Sequence, residues 1–385
     1  MCQEAPPVGG DIGLRRAGAA DAWPVRMTES VMRRNPRLGP RWDYTSGLML
    51  TAIAQVWRMT DAPRYWRYIK DNVDCFLDAD GRISTYSMDE HNLDQINGGK
   101  VLLLLDEQTK DPRYRQALLT LREQLRTQPR TSEGGFWHKR IYPHQMWLDG
   151  LYMAAPFYAE WALRRGEPEA FADVAAQIRL LVEHTRDAET GLLHHGWDAS
   201  KERAWADPVT GCSRHFWGRA MGWFMMALVD VLDFLPAEHP EYPRIIAHLA
   251  DAARAVANVQ DARIGLWYQV LDHGTRPGNY LEASASCMFV YALAKGVRWG
   301  YLARDYLDRA RQGYDGVIGH LTEAGADGNV NLKQICKVAG LGRYSPDQPY
   351  RDGSFAYYTG EEIVTNDYKG LGAFILAGVE MERAV

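Results

Sequence analysis

The chain is poor in the features that would assign it quickly. Cysteine is scarce: Cys2, Cys75, Cys212, Cys287 and Cys336 are five among 385 residues, an odd count with no C-x-x-C pair. That argues for reduced thiols and against a structural zinc site. No apolar run reaches the roughly 18 residues that a membrane-spanning helix needs. No basic block is present and the net charge is −5, so nucleic acid is not an expected partner. There is no G-x-x-x-x-G-K-[ST] phosphate loop, no G-x-S-x-G elbow and no dinucleotide fingerprint after a strand. The adjacent His194 and His195 of "LLHHGWD" would point to opposite faces of a strand and could not grip one ion. Neither a metal nor a cofactor is expected. The opening "MCQEAPPVGGDIGLRR" lacks the basic-then-apolar order of a secretory signal, so the chain reads as cytoplasmic. A chain trimmed after a lipoprotein signal would also begin near Cys2, and that alternative stays open.

What is present is aromatic and helical. Hydrophobic residues make up 46% and charged residues 24%, the balance of a soluble protein with a large core. Thirteen Trp and twenty Tyr exceed the usual supply. Most belong to a core, but aromatic faces also stack on sugar rings. The length is large for one ordinary domain, yet closed barrels reach it as single units.

Helical patterns recur in pairs. Segments 64–77, 112–126, 169–185, 242–259 and 302–321, with a weaker member at 23–34, carry an apolar stripe and a charged opposite face. Such one-faced helices belong on the outside of a bundle. Between them lie "TSGLMLTAIAQVW", "NGGKVLLLLDEQT", "DGLYMAAPFYAEWALR", "AMGWFMMALVDVLDFL", "ASASCMFVYALAKGV" and "YKGLGAFILAGVEM". These are apolar nearly all round, so they are buried on all sides. Alternation of six inner and six outer helices, without terminal capping repeats, predicts an all-α fold, an (α/α)6 barrel over residues 21–385 preceded by a tail at 1–20. The links into the inner helices ("DADGRISTYSMD", "SEGGFWHKRIYP", "DAETGLLHHGWD", "DARIGLWYQVLD") each read as a turn and a short extended stretch, hairpins on one rim. The longest loop, 324–366, reads as a lid, a subsite wall or a plain insertion.

The unusual polar residues fall at the starts of the inner helices. Trp42 and Asp43 precede the first. His91, Asn92, Asp94 and Asn97 precede the second. His144, Trp147 and Asp149 mark the third, Trp217, Arg219 and Trp223 the fourth, Glu282, Ser284 and Ser286 the fifth, and Lys369 the last. Helices that run the same way round a barrel bring these groups to one mouth. Capping is the rival explanation, because Asp is a favoured N-cap and Asp43, Asp94 and Asp149 would each satisfy backbone donors. A buried Arg219 needs an anionic partner, either a protein carboxylate or one on the ligand.

"NLDQINGGK", "PHQMWLDGLYMAAPFYAEW", "LLHHGWD" and "FWGRAMGWFMMALVDVL" resemble the signatures of glycoside hydrolase family 105, the unsaturated rhamnogalacturonyl hydrolases. The resemblance runs in order from "WDYTSGLML" to "NDYKGLGAFILAGVEME", with residues 1–20 outside it. Family 88, the unsaturated glucuronyl hydrolases, is a relative of the same fold. The resemblance implies an (α/α)6 barrel that acts on the 4-deoxy-hex-4-enuronosyl end left by a polysaccharide lyase. It makes Asp149 the general acid/base and Asp94 its partner. Trp42, Tyr44, His138, His144, Trp147, His195, Trp217, Arg219, Trp223 and Lys369 are the residues assigned to substrate binding.

That chemistry explains the residue types. An unsaturated uronide is a vinyl ether. Protonation at C4 moves positive charge to C5 and the ring oxygen, water adds at C5, and the hemiketal opens and expels the remaining sugar. One carboxyl supplies the proton and, once ionised, activates the water. Such an acid needs a setting that disfavours its ionised form, and Trp147, Leu148 and Asp94 are expected to provide it. Two rivals stay open: an inverting glycosidase using Asp94 and Asp149 as base and acid, and a non-catalytic oligosaccharide-binding barrel. The expected partner is an unsaturated oligosaccharide from rhamnogalacturonan-type or other lyase products, with the protein a monomer or homodimer.

Overall fold

The computed structural model describes residues 21–384; the tail assigned to residues 1–20 lies outside them. Six helices form an inner ring: α2 (Tyr44–Thr60), α4 (Gly99–Thr109), α6 (Leu148–Arg165), α8 (Gly218–Val231), α10 (Ala283–Arg298) and α13 (Tyr368–Arg383). Neighbours pack in the order α2, α4, α6, α8, α10, α13, and α13 returns to α2, which closes the ring. Around it stand α1 (Trp23–Arg34), α3 (Pro63–Asp74), α5 (Pro112–Thr127), α7 (Glu169–Thr185), α9 (Tyr242–Asn258) and α11 (Asp305–Gly316). This is the expected (α/α)6 barrel. A thirteenth helix, α12 (Phe355–Gly360), lies in the long loop.

Local chemistry accounts for the two sets. Four outer helices, α1, α3, α5 and α9, carry Pro in the first turn, where the missing N–H costs nothing and the fixed φ suits the helix. Every residue of α8 is buried, as its all-round apolar sequence requires. Small residues bring the inner helices close. A Cβ at Gly99 would lie 2.5 Å from the Phe157 ring of α6, and one at Gly372 would lie 2.7 Å from Leu48 of α2.

The rim links differ in one respect from the expectation. Three of the four begin with a tight turn closed by a single bridge, Leu77 to Ile83, Arg130 to Phe136 and Arg186 to Leu193. Some of the extended stretches that follow pair with a neighbouring link. Strand β1 (Gln145–Trp147) is antiparallel to β2 (Gly196–Asp198), with Met146 opposite Trp197. The bridge from Trp217 to Val270 joins the next two links in the same way, whereas Trp197 to Cys212 and Tyr268 to Leu281 each close within one link. The backbone donors of one link find their acceptors in the next, which ties the rim together.

The loop at 324–366 is neither loose nor plain. Strand β3 (Thr322–Ala324) pairs with β4 (Val330–Leu332), and β5 (Ile335–Cys336) pairs with β6 (Ile363–Val364). The loop folds onto the barrel mouth. Leu341 is fully buried against Trp147 and Trp205, and the Arg351 guanidinium lies 5.9 Å from the Trp147 ring. No helix among the described residues is long and apolar enough to cross a membrane.

Candidate active site

Register separates the acid that caps its helix from those that do not. Asp43 is the N-cap of α2, and its Oδ1 accepts from the N–H groups of Thr45 at 2.9 Å and Ser46 at 3.0 Å. It is a cap. Asp149 is not: the N-cap of α6 is Trp147, and Asp149 sits inside the first turn without a capping bond. Its side chain, 14% exposed, places Oδ2 3.2 Å from His195 Nε2. Asp94 is also not the cap of its 3-10 turn (Leu93–Ile96); Asn92 takes that place and accepts from the Asp94 N–H.

Freed from capping, Asp94 faces a lysine and a histidine. Lys139 Nζ lies 2.6 Å from Asp94 Oδ2, and His138 Nε2 lies 3.5 Å from Oδ1. Burial works against ionising Asp94, but the Lys139 and His138 neighbours outweigh it and hold the carboxyl below its ordinary value. Burial pushes His138 down to about 4, against the pull of Asp94, so its ring is neutral near pH 7. Asp94 is therefore a fixed carboxylate, whereas the group beside Asp149 is a histidine, His195.

The inner-helix starts do meet at one mouth. Tyr44, at the start of α2, feels Asp94, Arg219, Asp367 and Asp149; burial first, then Asp94, pushes its hydroxyl well above the ordinary range. Its ring meets the edge of Trp223 at 6.3 Å, and Trp223 stacks on Tyr152 at 4.8 Å. His195 lies 4.8 Å from the Trp217 ring and 5.4 Å from Trp147. Lys369, at the start of α13, is tied to Asp367 at 2.8 Å. Burial, then the charge of Arg219, lowers its ammonium from the ordinary value.

Several expected site residues act behind the mouth. Trp147 stacks on both the Tyr142 and His138 rings, 4.6 Å from each, and those two rings lie 6.3 Å apart. Trp42 is buried, donates from Nε1 to the Gln95 carbonyl at 2.8 Å and fills the space over Gly98, where a Cβ would lie 2.4 Å from its ring. It holds up the turn that carries Asp94. Arg219 is 1% exposed; one of its nitrogens lies 3.2 Å from Ser284 Oγ, donates to the Cys336 carbonyl and sits 3.9 Å from Glu282. Its anionic partner in the structure is a protein carboxylate. His144 is not drawn into the group: it is exposed, adopts φ 64° and rests on Trp137, 4.8 Å away.

Three residues of the site carry no assigned role in the sequence reading. Lys139 stands in the quoted "SEGGFWHKRIYP", and its neighbour His138 drew the attention. Glu282 caps α10 and faces Arg219. Tyr358, in α12, bonds His195 Nδ1 at 2.8 Å across 163 residues, and no local pattern announces a contact so distant. A small, largely apolar cavity lies between α6 and α7, lined by Leu93, His138, Trp147, Leu151, Tyr158 and Leu181 among others. Neither Asp149 nor Arg219 lines it, but His138 and Trp147 do, so it lies behind the Asp94 side of the site. For metals, the group among the described residues with suitable atoms is His215, Asp272 and His273, within 4.8 Å of one another; it includes neither Asp94 nor Asp149. His194 turns to Phe216, 4.5 Å away, while His195 turns to Asp149.

Comparison with known proteins adds the family. The sequence model of Glycosyl Hydrolase Family 88 matches residues 18–385. A solved glycoside hydrolase from family 105 of C. acetobutylicum ATCC 824 is 46% identical, with a TM-score of 0.91 over 94% of this chain and 99% of that one. Protein Atu3128 of Agrobacterium fabrum is 38% identical over 235 residues, 59% of this chain and 97% of its own length. The unsaturated rhamnogalacturonyl hydrolase YesR of Bacillus subtilis is 27% identical over 271 residues, 69% of this chain and 74% of its own. By sequence and by fold, the chain belongs to the family 88 and 105 group of glycoside hydrolases.

Proposed function

We propose that this glycosidase removes the 4-deoxy-hex-4-enuronosyl residue from the non-reducing end of lyase-generated oligosaccharides by hydrating the C4=C5 bond. Rhamnogalacturonan-type fragments are the substrates the reading favours, in line with the name of the Bacillus subtilis relative. The observation that carries the reading is the division of labour between two acids at one mouth. Asp94 is tied as a carboxylate to Lys139, while Asp149 caps nothing and faces His195.

In this mechanism Asp149 gives its proton to C4. Positive charge develops at C5 and the ring oxygen. The Asp149 carboxylate then takes a proton from water as the oxygen bonds to C5. The resulting hemiketal opens, the glycosidic bond to the remaining sugar breaks, and that sugar leaves as the alcohol. Asp94 is a fixed negative charge at the same mouth, a preorganised counterpart to the cationic centre. Trp217, Trp223 and Tyr44 shape the wall around it.

The test is loss of the ultraviolet absorbance of the conjugated alkene across a panel of lyase-generated disaccharides. Turnover of unsaturated substrates, with a saturated chromogenic glycoside left intact, is expected. Hydrolysis of the saturated glycoside, or no turnover of any unsaturated disaccharide, would overturn the proposal. The panel also reads which sugar is accepted next to the unsaturated residue.

A further inference from the structure

We infer that Tyr358, supplied by the loop at 324–366, is a positioning residue that fixes the tautomer of His195 and so keeps the working proton on Asp149. The inference rests on the role proposed for Asp149. His195 is fully buried, with each ring nitrogen facing one group: Nδ1 lies 2.8 Å from the Tyr358 hydroxyl and Nε2 lies 3.2 Å from Asp149 Oδ2. Tyr358 is itself fully buried, and burial first, with Tyr357 and Asp149 adding, pushes its phenol well above the ordinary range. The phenol therefore keeps its proton. His195 Nδ1 is its hydrogen-bond partner among the described residues.

Two assignments are open to the imidazole. With hydrogen on Nδ1, the Tyr358 O–H would be a buried donor with no acceptor, at a cost of about 1–3 kcal/mol. With hydrogen on Nε2, the phenol donates to Nδ1 and both partners of that buried contact are satisfied. The second is favoured, and its consequence falls on Asp149. Nε2 then carries a hydrogen and has no lone pair to accept the acid's proton. That proton has only the substrate to go to. After the transfer, the same Nε2–H faces the new carboxylate. Second-sphere partners commonly select the histidine tautomer in this way.

The loop is built to hold the phenol in place. The Gln269 side chain donates from Nε2 to the Tyr358 carbonyl at 2.9 Å and accepts from Trp217 Nε1 at 3.1 Å. The Tyr358 and Trp217 rings lie nearly parallel, 17° apart in plane. One amide thus fixes both walls beside His195.

The experiment uses the full-length protein labelled with ¹⁵N-histidine, with His195 resonances assigned by a His195→Gln variant. The wild type should show a protonated Nε2 and an unprotonated, hydrogen-bonded Nδ1. In Tyr358→Phe, which keeps the ring and removes only the hydroxyl, the Nδ1–H tautomer should gain population. Its kcat should fall about tenfold or more with KM nearly unchanged. Tyr357→Phe is the control for loop packing, because Tyr357 lies in the same helix and bonds Gly340 rather than His195; it should keep the wild-type tautomer and rate. A wild-type His195 with hydrogen on Nδ1 overturns the inference, as does a Tyr358→Phe variant with unchanged tautomer or rate, or an equal loss in Tyr357→Phe. The wild-type tautomer is read without any substrate. Failure to turn over unsaturated disaccharides would sink the proposed function while leaving that measurement standing.

Discussion

Lys139 Nζ and Asp94 Oδ2 are 2.6 Å apart, with side chains 13% and 15% exposed. Burial opposes both charges, yet Lys139, with His138, holds Asp94 below its ordinary value of 3.8, and Asp94 holds Lys139 above its ordinary value of 10.5. The carboxylate's share of stability is present above its unfolded value and is lost as pH falls through the lowered folded value. The ammonium's share is present below its unfolded value and is lost as pH rises through the raised folded value. The pair is intact across the neutral range.

Lys139→Met should therefore destabilise the protein by about 3 kcal/mol at pH 7, because it strands a largely buried carboxylate. The penalty should shrink as pH drops towards 4, where the stranded Asp94 takes up a proton. Urea unfolding of both proteins at pH 4 and pH 7 checks this. Equal penalties at the two pH values would show that the pair contributes no net electrostatic stability.

Arg219 invites a parallel argument with a different outcome. The guanidinium is 1% exposed and Glu282 is fully buried, so neither charge reaches water. Arg219→Ala should cost about 3–5 kcal/mol, the price of an uncompensated buried charge. It should also release the Cys336 carbonyl and Trp217, over which Arg219 lies at 4.8 Å. The midpoint of urea unfolding reads the first effect and kcat of the folded fraction reads the second. A variant with an unchanged midpoint and a raised KM would instead place Arg219 on the ligand.

The ring of helices was legible because periodicity reports burial directly. Segments apolar on all sides had to be inner, and α8 and α10 are buried along nearly their whole length. The acids were harder to read, because sequence places Asp43 and Asp149 alike at a helix start. What separates them is a register of two positions relative to the N-cap, Asp43 itself in one case and Trp147 in the other. Arg219 could be read as buried but not as paired, since Glu282 lies on the next inner helix. Tyr358 was out of reach for the same reason in stronger form: the loop pattern gives no sign of which residue returns to His195.

The glycine pair of "NGGK" gives a sharper test of packing. Gly98 has φ −64°, an ordinary value for any residue, so the backbone does not require glycine there. Trp42 does, because a Cβ would lie 2.4 Å from its ring. Gly98→Ala should cost about 1–3 kcal/mol by overpacking. Adding Trp42→Leu should make the alanine substitution nearly harmless. If Gly98→Ala costs the same with and without Trp42, measured by urea unfolding of the four proteins, the two residues are not coupled.

Asp149 carries the last prediction. Asp149→Asn keeps the shape of the side chain but cannot exchange a proton. Because Asp149 makes no capping bond, the substitution should leave the unfolding midpoint within about 0.5 kcal/mol of wild type, as for a site free of structural duties. The rate should fall by about 10²-fold or more, since a positioned proton transfer contributes about 10²–10⁴. Substrate should still bind, so the variant should trap an intact unsaturated disaccharide. Solvent isotope gives a check that does not depend on any variant. In D₂O the product released by the wild type should carry deuterium at C4, the carbon that receives the proton, and the deuterium should sit on one face, as delivery from a single fixed carboxyl requires. Mass spectrometry detects the label and proton NMR its stereochemistry. Label absent from C4, or an Asp149→Asn variant as fast as wild type, would take Asp149 out of the mechanism and leave its unpaired oxygen beside His195 without a chemical role.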